Sequence, residues 1–174
     1  IVNPRVLEDP ERIRHFTGII KKENQRMNHQ VETILQIARL DRRDFEFRFA
    51  AADLHEIIDK AVSTISLQVE SRKGTIVTEK HAANPVVTTD AEHSLHVLNN
   101  LLDNANKYSE GPPQITIRTR NSDRGVWISV SDQGIGMGKQ VQHRIFEKFF
   151  RETSGNIHNV KGFGLGLSYV KAVM

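Results

Sequence analysis

The chain of 174 residues contains no cysteine, which excludes disulfides, thiolate metal sites and cysteine nucleophiles. It also lacks any apolar run approaching the roughly 18 residues of a membrane-spanning helix, and no signal peptide is visible. The net charge is only +3 and basic residues are interleaved with acidic ones, so we expect no nucleic-acid partner. Because the sequence opens on Ile1 rather than Met, we expect a piece of a longer protein, with any membrane segment outside this chain.

What is present suits one compact domain with an appended helical element. Asp9 is a good N-cap, Pro10 suits the first helical position, and Gly18 is the only Gly or Pro from there to about Leu40. Apolar residues recur every seven positions, at Ile13, Ile20, Met27 and Ile34. This spacing predicts a helix about 45 Å long that packs against other helices in a bundle, with a loop before it at residues 3–8.

The remainder of the chain alternates strand and helix patterns. Phe45, Phe47 and Phe49 alternate with polar residues and predict a short strand. We place the boundary between a helical piece (residues 1–44) and a globular domain (residues 45–174) at this strand. Asp53 is predicted to cap a helix. Further strands are predicted at residues 75–79, 86–88, 114–120 and 126–131, the last two as an antiparallel pair, and further helices at residues 91–108 and 166–174.

Residues 98–108 form the most informative segment. An apolar stripe with helical spacing contains Leu98, Leu101, Leu102 and Ala105. Asn100, Asn104 and Lys107 fall on the opposite arc, so two carboxamides and an ammonium group line one face. That face suits a metal ion and phosphates, and Asn104 is best suited to Mg²⁺, which prefers hard oxygen ligands and keeps waters and substrate phosphates. For an isolated asparagine, an ordinary place on a helix surface would be the alternative.

Two glycine-containing segments follow this helix. Asp132 ends a predicted strand, where its carboxylate could accept a hydrogen bond from an exocyclic amine such as that of adenine, and Gly134 and Gly136 allow close approach to a flat ligand. A plain turn after a strand is an equal alternative. Residues 161–167 open into a helix and would expose backbone N–H groups to an anion, although glycines there are also compatible with a flexible link.

Four segments together resemble the catalytic, ATP-binding domain of sensor histidine kinases, in the superfamily shared with gyrase, mismatch-repair ATPases and a heat-shock chaperone. Residues 100–109 are similar to the family's N box, residues 132–136 to its first glycine box, residues 145–151 to its F box and residues 162–168 to its second glycine box. The resemblance implies an α+β fold: a two-layer α/β sandwich whose mixed, mostly antiparallel sheet is covered by helices. The long first helix resembles the second helix of the dimerisation and phosphotransfer domain, a bundle-forming helix before the sandwich.

The resemblance also implies ATP and Mg²⁺ as cofactors and assigns roles to single residues. Asn104 would coordinate Mg²⁺, Asn100 would support the phosphates and Lys107 would contact phosphate oxygens, and these three form the implied catalytic set. Tyr108 would pack on the nucleotide and Asp132 would read the adenine amine. The other implied nucleotide contacts are Gly134, Gly136, Arg151, Gly162, Gly164, Leu165, Gly166 and Leu167.

An ATP lid is implied from about residue 139 to residue 161. Gly162, Gly164 and Gly166 would shape the end of this lid, and Arg151 would reach the γ-phosphate. The phenylalanines of the F box would anchor the lid to the domain or to the helical bundle, with plain core packing as the alternative; they are Phe146, Phe149 and Phe150.

The sequence departs from the family pattern in two places. Phe163 stands where the family often has a small hydroxyl residue, so a polar contact there is in doubt. The chain also ends at Met174, inside the last predicted helix, whereas the family continues into a hairpin, so we expect the catalytic domain to be truncated.

The histidine that this family phosphorylates lies in a His-Glu-x-x-Thr/Asn-Pro setting, which the sequence lacks. His55 precedes Glu56, but no proline follows, and it falls in a helix of the globular domain. His15 and His29 lie on the long helix. Neither suits a phosphoacceptor, because His15 directly precedes the apolar Phe16 and His29 falls off the apolar stripe. We therefore expect the phosphoacceptor upstream of residue 1.

Three functions follow from these observations. The first is a protein-histidine kinase core that serves two-component signalling, with a response-regulator receiver domain as partner, homodimerisation through the helical bundle and a cytoplasmic location as part of a membrane sensor. The second is an ATP hydrolase of the same superfamily. Such hydrolases carry a glutamate as general base at the position of Asn100, whose amide cannot take a proton. The third is an interaction module without catalysis, in which the long helix serves assembly.

Overall fold

The computed structural model describes residues 9–40, 46–151 and 164–174. Its elements are α1 (Pro10–Leu40), β1 (Ala50–Asp53), α2 (Leu54–Ser71), β2 (Thr75–Lys80), β3 (Val86–Thr89), α3 (Ala91–Lys107), β4 (Gln114–Ser122), β5 (Gly125–Asp132), α4 (Lys139–Gln142) and α5 (Gly166–Val173). The chain divides into two compact units between Arg42 and Arg43. The assignment of residues 1–44 to a phosphotransfer domain stays a prediction.

The first unit contains helix α1, which begins where the sequence predicts. The Asp9 carboxylate accepts hydrogen bonds from the backbone N–H groups of Glu11 and Arg12, at 3.0 and 3.2 Å. These bonds satisfy two of the donors that a helix start leaves free. Large apolar side chains along α1 are exposed, among them Ile20 at 67% and Met27 at 52%. Packing into a bundle stays a prediction.

The second unit contains two small sheets. Strands β1 and β3 pair antiparallel, with Ala50 opposite Thr89. In the other sheet β4 lies in the centre, parallel to β2 and antiparallel to β5, with Ile117 opposite Val130. The predicted β4–β5 pair is therefore confirmed. Helices α2 and α3 pack against each other and against this sheet, which confirms the predicted mixed α+β fold.

One core holds these layers together. Along β4, Ile115 and Ile117 face the helices, while alternate residues face away, as the period of two requires. Helix α2 begins at the predicted cap, because Asp53 accepts the N–H of His55 at 2.7 Å. The buried cluster consists of Leu54, Ile57, Ile58, Ala61, Ile65, Val69, Leu98, Leu102, Ala105, Ile115 and Ile117. Burial of these side chains from α2, α3 and β4 fixes α3 firmly on the sheet.

The strand predicted from the alternating phenylalanines is wrong. Phe47 and Phe49 precede β1, which begins at Ala50; Phe45 lies outside the described residues. The backbone N–H of Arg48 donates to the Asp90 carboxylate at 2.9 Å rather than to a strand, and the Phe47 ring packs edge-on against His93. Phe47 thus contacts the start of α3 instead of taking part in strand pairing.

None of the helices in residues 9–40, 46–151 and 164–174 combines the length and the apolar character that a membrane span needs.

Candidate functional site

Helix α3 is the platform of the candidate nucleotide site. Asp90 caps its start and accepts the N–H groups of Glu92 and His93, each at 3.1 Å. Burial raises the pKa of Asp90, but these N–H donors and that of Arg48 outweigh burial and hold the pKa below its usual value. Leu98, Leu102 and Ala105 of the predicted stripe are buried and Leu101 is half-buried. The burial of this stripe fixes the direction in which the opposite face points.

The predicted polar face of α3 carries Asn100, Asn104 and Lys107. Asn100 and Asn104 are half-buried and Lys107 is exposed. The Asn100 Nδ2 donates to the backbone oxygen of His96 at 2.9 Å, and the Lys107 ammonium pairs with the Asp103 carboxylate one turn earlier. Both carboxamides therefore lie on one partly accessible surface, with a cation at its end.

Helix α5 packs against α3 at Asn100. A Cβ atom on Gly166 would lie 2.6 Å from the Asn100 Oδ1, so any other residue here would force the Asn100 side chain to shift. Leu165 is buried and Leu167 is half-buried beside it. Two sequence motifs that are more than 60 residues apart thus meet side by side. Lys161, Gly162 and Phe163, including the predicted contact at Gly162, lie outside the described residues.

A second contact between α3 and α5 joins His93 and Tyr169. The His93 Nδ1 and the Tyr169 hydroxyl are 2.6 Å apart, and the two rings stack with centroids 6.1 Å apart. Tyr169 is completely buried, and burial raises the pKa of Tyr169 to about 12, with the charges of Asp90 and Glu92 adding to the effect. The sequence motifs did not mark this pair, because His93 and Tyr169 both lie outside the four motif segments.

The loop after β5 is attached to the other end of α3. The Ile135 N–H donates to the Tyr108 carbonyl at 3.0 Å, and a Cβ on Gly134 would lie 2.7 Å from that same oxygen. The Gly134 N–H donates to the Asp132 Oδ1 at 2.8 Å, and Gly136 has φ of +68°. Asp132 is exposed and therefore serves the turn while its carboxylate stays accessible. The predicted turn and the predicted ligand contact are compatible at this residue.

The F-box segment lies at the surface. Phe146 is 40% exposed and Phe149 is 64% exposed, so plain core packing does not explain either side chain. The Arg144 guanidinium lies over the Phe150 ring, 4.3 Å from its centroid. The Phe149 N–H donates to the Gly164 carbonyl at 3.0 Å, which joins the described parts of the chain before residue 152 and after residue 163.

The predicted role of the F-box phenylalanines as lid anchors stays a prediction. Arg151, the last described residue before residues 152–163, is exposed, and its predicted reach to the γ-phosphate also stays a prediction. The short helix α4 lies at the start of the predicted lid.

The donor set fits a magnesium ion that is held mainly by the nucleotide. Across residues 9–40, 46–151 and 164–174, no group of three or more His, Asp or Glu side chains is placed to hold a metal. Mg²⁺ does not require such a group, because it binds through one or two protein oxygens, waters and phosphates. The half-buried Asn104 carboxamide on the polar face of α3 can supply one such oxygen.

Sequence reasoning missed Arg72, which lies outside every motif. Its guanidinium reaches from the end of α2 to the segment that follows α3, where it donates to the Ser109 carbonyl at 2.6 Å. No local pattern signals this contact, because its partners lie 34 to 39 residues away.

Comparison with known proteins agrees with this geometry. Residues 89–174 match the family described as histidine kinase-, DNA gyrase B-, and HSP90-like ATPase. The sensor protein RprX of Bacteroides fragilis (strain YCH46) is 38% identical over 174 residues, covering 99% of this chain and 34% of RprX. The chain thus spans about a third of the length of this curated relative.

Two solved structures share the fold. Full-length ShkA in complex with AMPPNP matches with a TM-score of 0.76 and 24% identity, covering 92% of this chain and 33% of ShkA. Histidine kinase ThkA in complex with the response regulator protein TrrA matches with a TM-score of 0.67 and 23% identity, covering 82% of this chain and 42% of the matched chain. Residues 89–174 therefore form a domain of the histidine kinase-, DNA gyrase B-, and HSP90-like ATPase family.

Proposed function

We propose that this chain is the ATP-binding kinase core of a sensor histidine kinase, which transfers the γ-phosphoryl group of ATP to a histidine. The observation that carries the proposal is the polar face of α3, where Asn100 meets Gly166 of α5 and Tyr108 meets the Asp132 loop. In this arrangement the loop that carries Asp132 would bind the adenine, and the polar face of α3 beside it would bind the phosphates. The sequence has no His-Glu-x-x-Thr/Asn-Pro segment, so the acceptor histidine belongs to another part of the intact protein.

Asn100 favours phosphoryl transfer to a protein group over hydrolysis. An amide cannot take a proton from water, so Asn100 cannot act as the general base that a hydrolase places at this position. The structure gives the amide its own role, because Nδ2 donates to the His96 carbonyl while Oδ1 lies beside Gly166. A glutamate would have no N–H to offer that carbonyl.

Asn104, through a bound Mg²⁺, and Lys107 would neutralise the negative charge of the phosphates. The Asn104 oxygen would hold Mg²⁺, which neutralises phosphate charge when it is bound. Lys107 would contact the phosphates after leaving Asp103. The exposed Lys107–Asp103 ion pair stabilises the fold by only about 0.3–0.5 kcal/mol, so a phosphate can readily replace the Asp103 carboxylate as the partner of Lys107.

The finer assignments belong to the same proposal. Asp132 would accept the adenine amine and Tyr108 would pack on the nucleotide. The phosphoryl group would pass on to an aspartate of a response regulator, in line with the ThkA–TrrA complex. The exposed apolar stripe of α1 would join two copies of the intact protein, and the ATP requirement would place this domain in the cytoplasm.

Incubation of the intact protein with γ-labelled ATP and Mg²⁺ tests the proposal. We expect acid-labile, base-stable labelling of a histidine, and we expect Asn104→Ala to abolish it. Arg124→Gln, in the β4–β5 turn, is the matched surface control and should label normally. Absence of phosphohistidine in the unmodified protein, or substantial ATP hydrolysis by it, would refute the proposal.

A further inference from the structure

Arg72 forms a clamp across the end of helix α3. The residue follows α2, is half-buried, and its backbone N–H bonds back to the Val69 carbonyl at 3.1 Å. Its Nη1 donates to the backbone oxygen of Asn106 and, at 3.0 Å, to the Asn106 Oδ1. Its Nη2 donates to the carbonyls of Ser109 and Gly111, at 2.6 and 3.2 Å. A single guanidinium thus holds four oxygens of residues 106–111.

The chemistry of this clamp requires arginine. The last carbonyls of a helix have no partner within it and carry the negative end of the helix dipole, so a cation there is favourable. Asn106 and Ser109 are both only 6% exposed, so water has little access to their oxygens. The planar guanidinium offers five donors in a fixed fork, whereas a lysine ammonium is a point charge that cannot reach four such oxygens in this arrangement.

The clamp encloses two residues of the candidate nucleotide site. Lys107 and Tyr108 lie between Asn106 and Ser109, the residues that Arg72 holds most directly. The Tyr108 carbonyl in turn accepts the Ile135 N–H and contacts Gly134. A continuous path therefore runs from Arg72 through the 106–109 backbone to the loop that carries Asp132.

The turn between α2 and β2, which contains Arg72, also contacts the residue that precedes β4. The Thr75 N–H donates to the Pro113 carbonyl at 2.7 Å. A Cβ on Gly74 would lie 2.5 Å from that oxygen, so the two backbones are in close contact. Residues 72–75 therefore support both ends of the segment between α3 and β4.

We propose that Arg72 is a positioning residue for nucleotide binding, which fixes the Lys107–Tyr108 turn and, through Tyr108, the adenine-side loop. It contacts no ligand itself. This inference rests on the proposed ATP site. Loss of the clamp should leave the fold intact, release the 106–111 backbone, and weaken binding of the nucleotide because the loop must then be ordered at the moment of binding.

The test uses Arg72→Lys in this chain, with Arg118→Lys as the matched control. Arg118 also forms two side-chain bonds, to Glu79 at 2.7 and 3.0 Å, but on the outer face of the sheet. Two quantities are measured: the Kd for Mg-ATP by titration calorimetry, and hydrogen exchange of the Ile135 amide against amides in the centre of β4. A residue that only stabilised the whole domain would change both classes of amide together.

We expect Arg72→Lys to raise the Kd roughly tenfold and to accelerate exchange at Ile135 selectively, while Arg118→Lys changes the Kd by less than about twofold. Asn106→Ala removes one of the four acceptors and should raise the Kd for Mg-ATP by about two- to threefold. This variant tests the positioning role of Arg72 if Arg72→Lys does not fold. Unchanged Kd and unchanged Ile135 exchange in a folded variant would overturn the inference. Absence of ATP binding by the unmodified chain would instead refute the proposed function, and the exchange data would still test the clamp.

Discussion

Helices α1 and α3 look alike in sequence but differ in what covers their apolar side. Each follows an aspartate cap and carries apolar residues at helical spacing. Ile20 of α1 is 67% exposed, whereas Leu102 of α3 is completely buried beneath α2 and the sheet. An amphipathic pattern therefore predicts that a helix has an apolar side without telling whether its own domain covers that side. The exposed stripe of α1 suits a helix-bundle partner, while α3 is held by its own domain and can present a fixed polar face.

The largest expected difference between the two helices concerns a single leucine in each. Leu102→Ala should lower the free energy of unfolding by about 3 kcal/mol, because it removes buried methyl groups and leaves a cavity. Leu35→Ala, at a side chain that is 52% exposed, should cost less than about 0.5 kcal/mol.

Urea denaturation at two protein concentrations measures both variants. Equal losses of stability in the two variants would contradict the difference in burial between α1 and α3. A loss for Leu35→Ala that grows with protein concentration would show that a second copy buries the α1 stripe.

The aspartate caps of α1 and α3 should also differ in how much they stabilise the protein. Asp90→Ala should cost about 2 kcal/mol, because it leaves three N–H donors near the core without their acceptor, while Asp9→Ala should cost about 0.5–1 kcal/mol. Since the folded-state pKa of Asp90 is depressed, its stabilisation is present above its ordinary pKa of 3.8 and is lost as the pH falls through the folded value.

Acid denaturation should therefore be steeper below about pH 4 for the unmodified chain than for Asp90→Ala. Parallel acid profiles for these two proteins would contradict this assignment.

A glycine in each setting gives a third comparison. Gly166→Ala would place a methyl group against the Asn100 side chain and should cost about 1–2 kcal/mol, with weaker Mg-ATP binding. Gly18→Ala, in α1, meets no neighbouring atom and should stabilise that helix by about 0.5–1 kcal/mol. Thermal denaturation and nucleotide titration measure both, and a stabilising Gly166→Ala would mean that α5 does not approach α3 this closely.

The smallest effects are expected at the surface ion pairs, where the two helices should not differ. Asp103→Asn removes the partner of Lys107, and Arg12→Gln removes the 3.8 Å pair with Asp9. Each change should alter the free energy of unfolding by less than about 0.5 kcal/mol, because both pairs are solvent-exposed. Asp103→Asn should also tighten Mg-ATP binding slightly, since Lys107 no longer has to leave a carboxylate. Weaker binding by this variant would argue against a phosphate role for Lys107.

The features that the sequence predicts well are local ones. The start of α1 at Asp9, the start of α2 at Asp53 and the buried stripe of α3 depend on residues within a few positions of one another. The strand predicted from Phe47 and Phe49 is wrong because Phe47 contacts His93 and Arg48 donates to the Asp90 cap of α3, both more than 40 residues away. Alternation alone cannot distinguish a strand from a loop segment with such contacts.

Residue type and spacing within the sequence are enough to set the helix caps, the periodic helices, the order of the four motifs and the amide at position 100. Only the packing of distant segments brings Gly166 against Asn100, the Asp132 loop against Tyr108 and Arg72 against the end of α3. These contacts join segments tens of residues apart through burial, close backbone approach and the donor geometry of one guanidinium. Their partners are fixed only when α2, α3 and the sheet have packed together, so no local pattern could identify them.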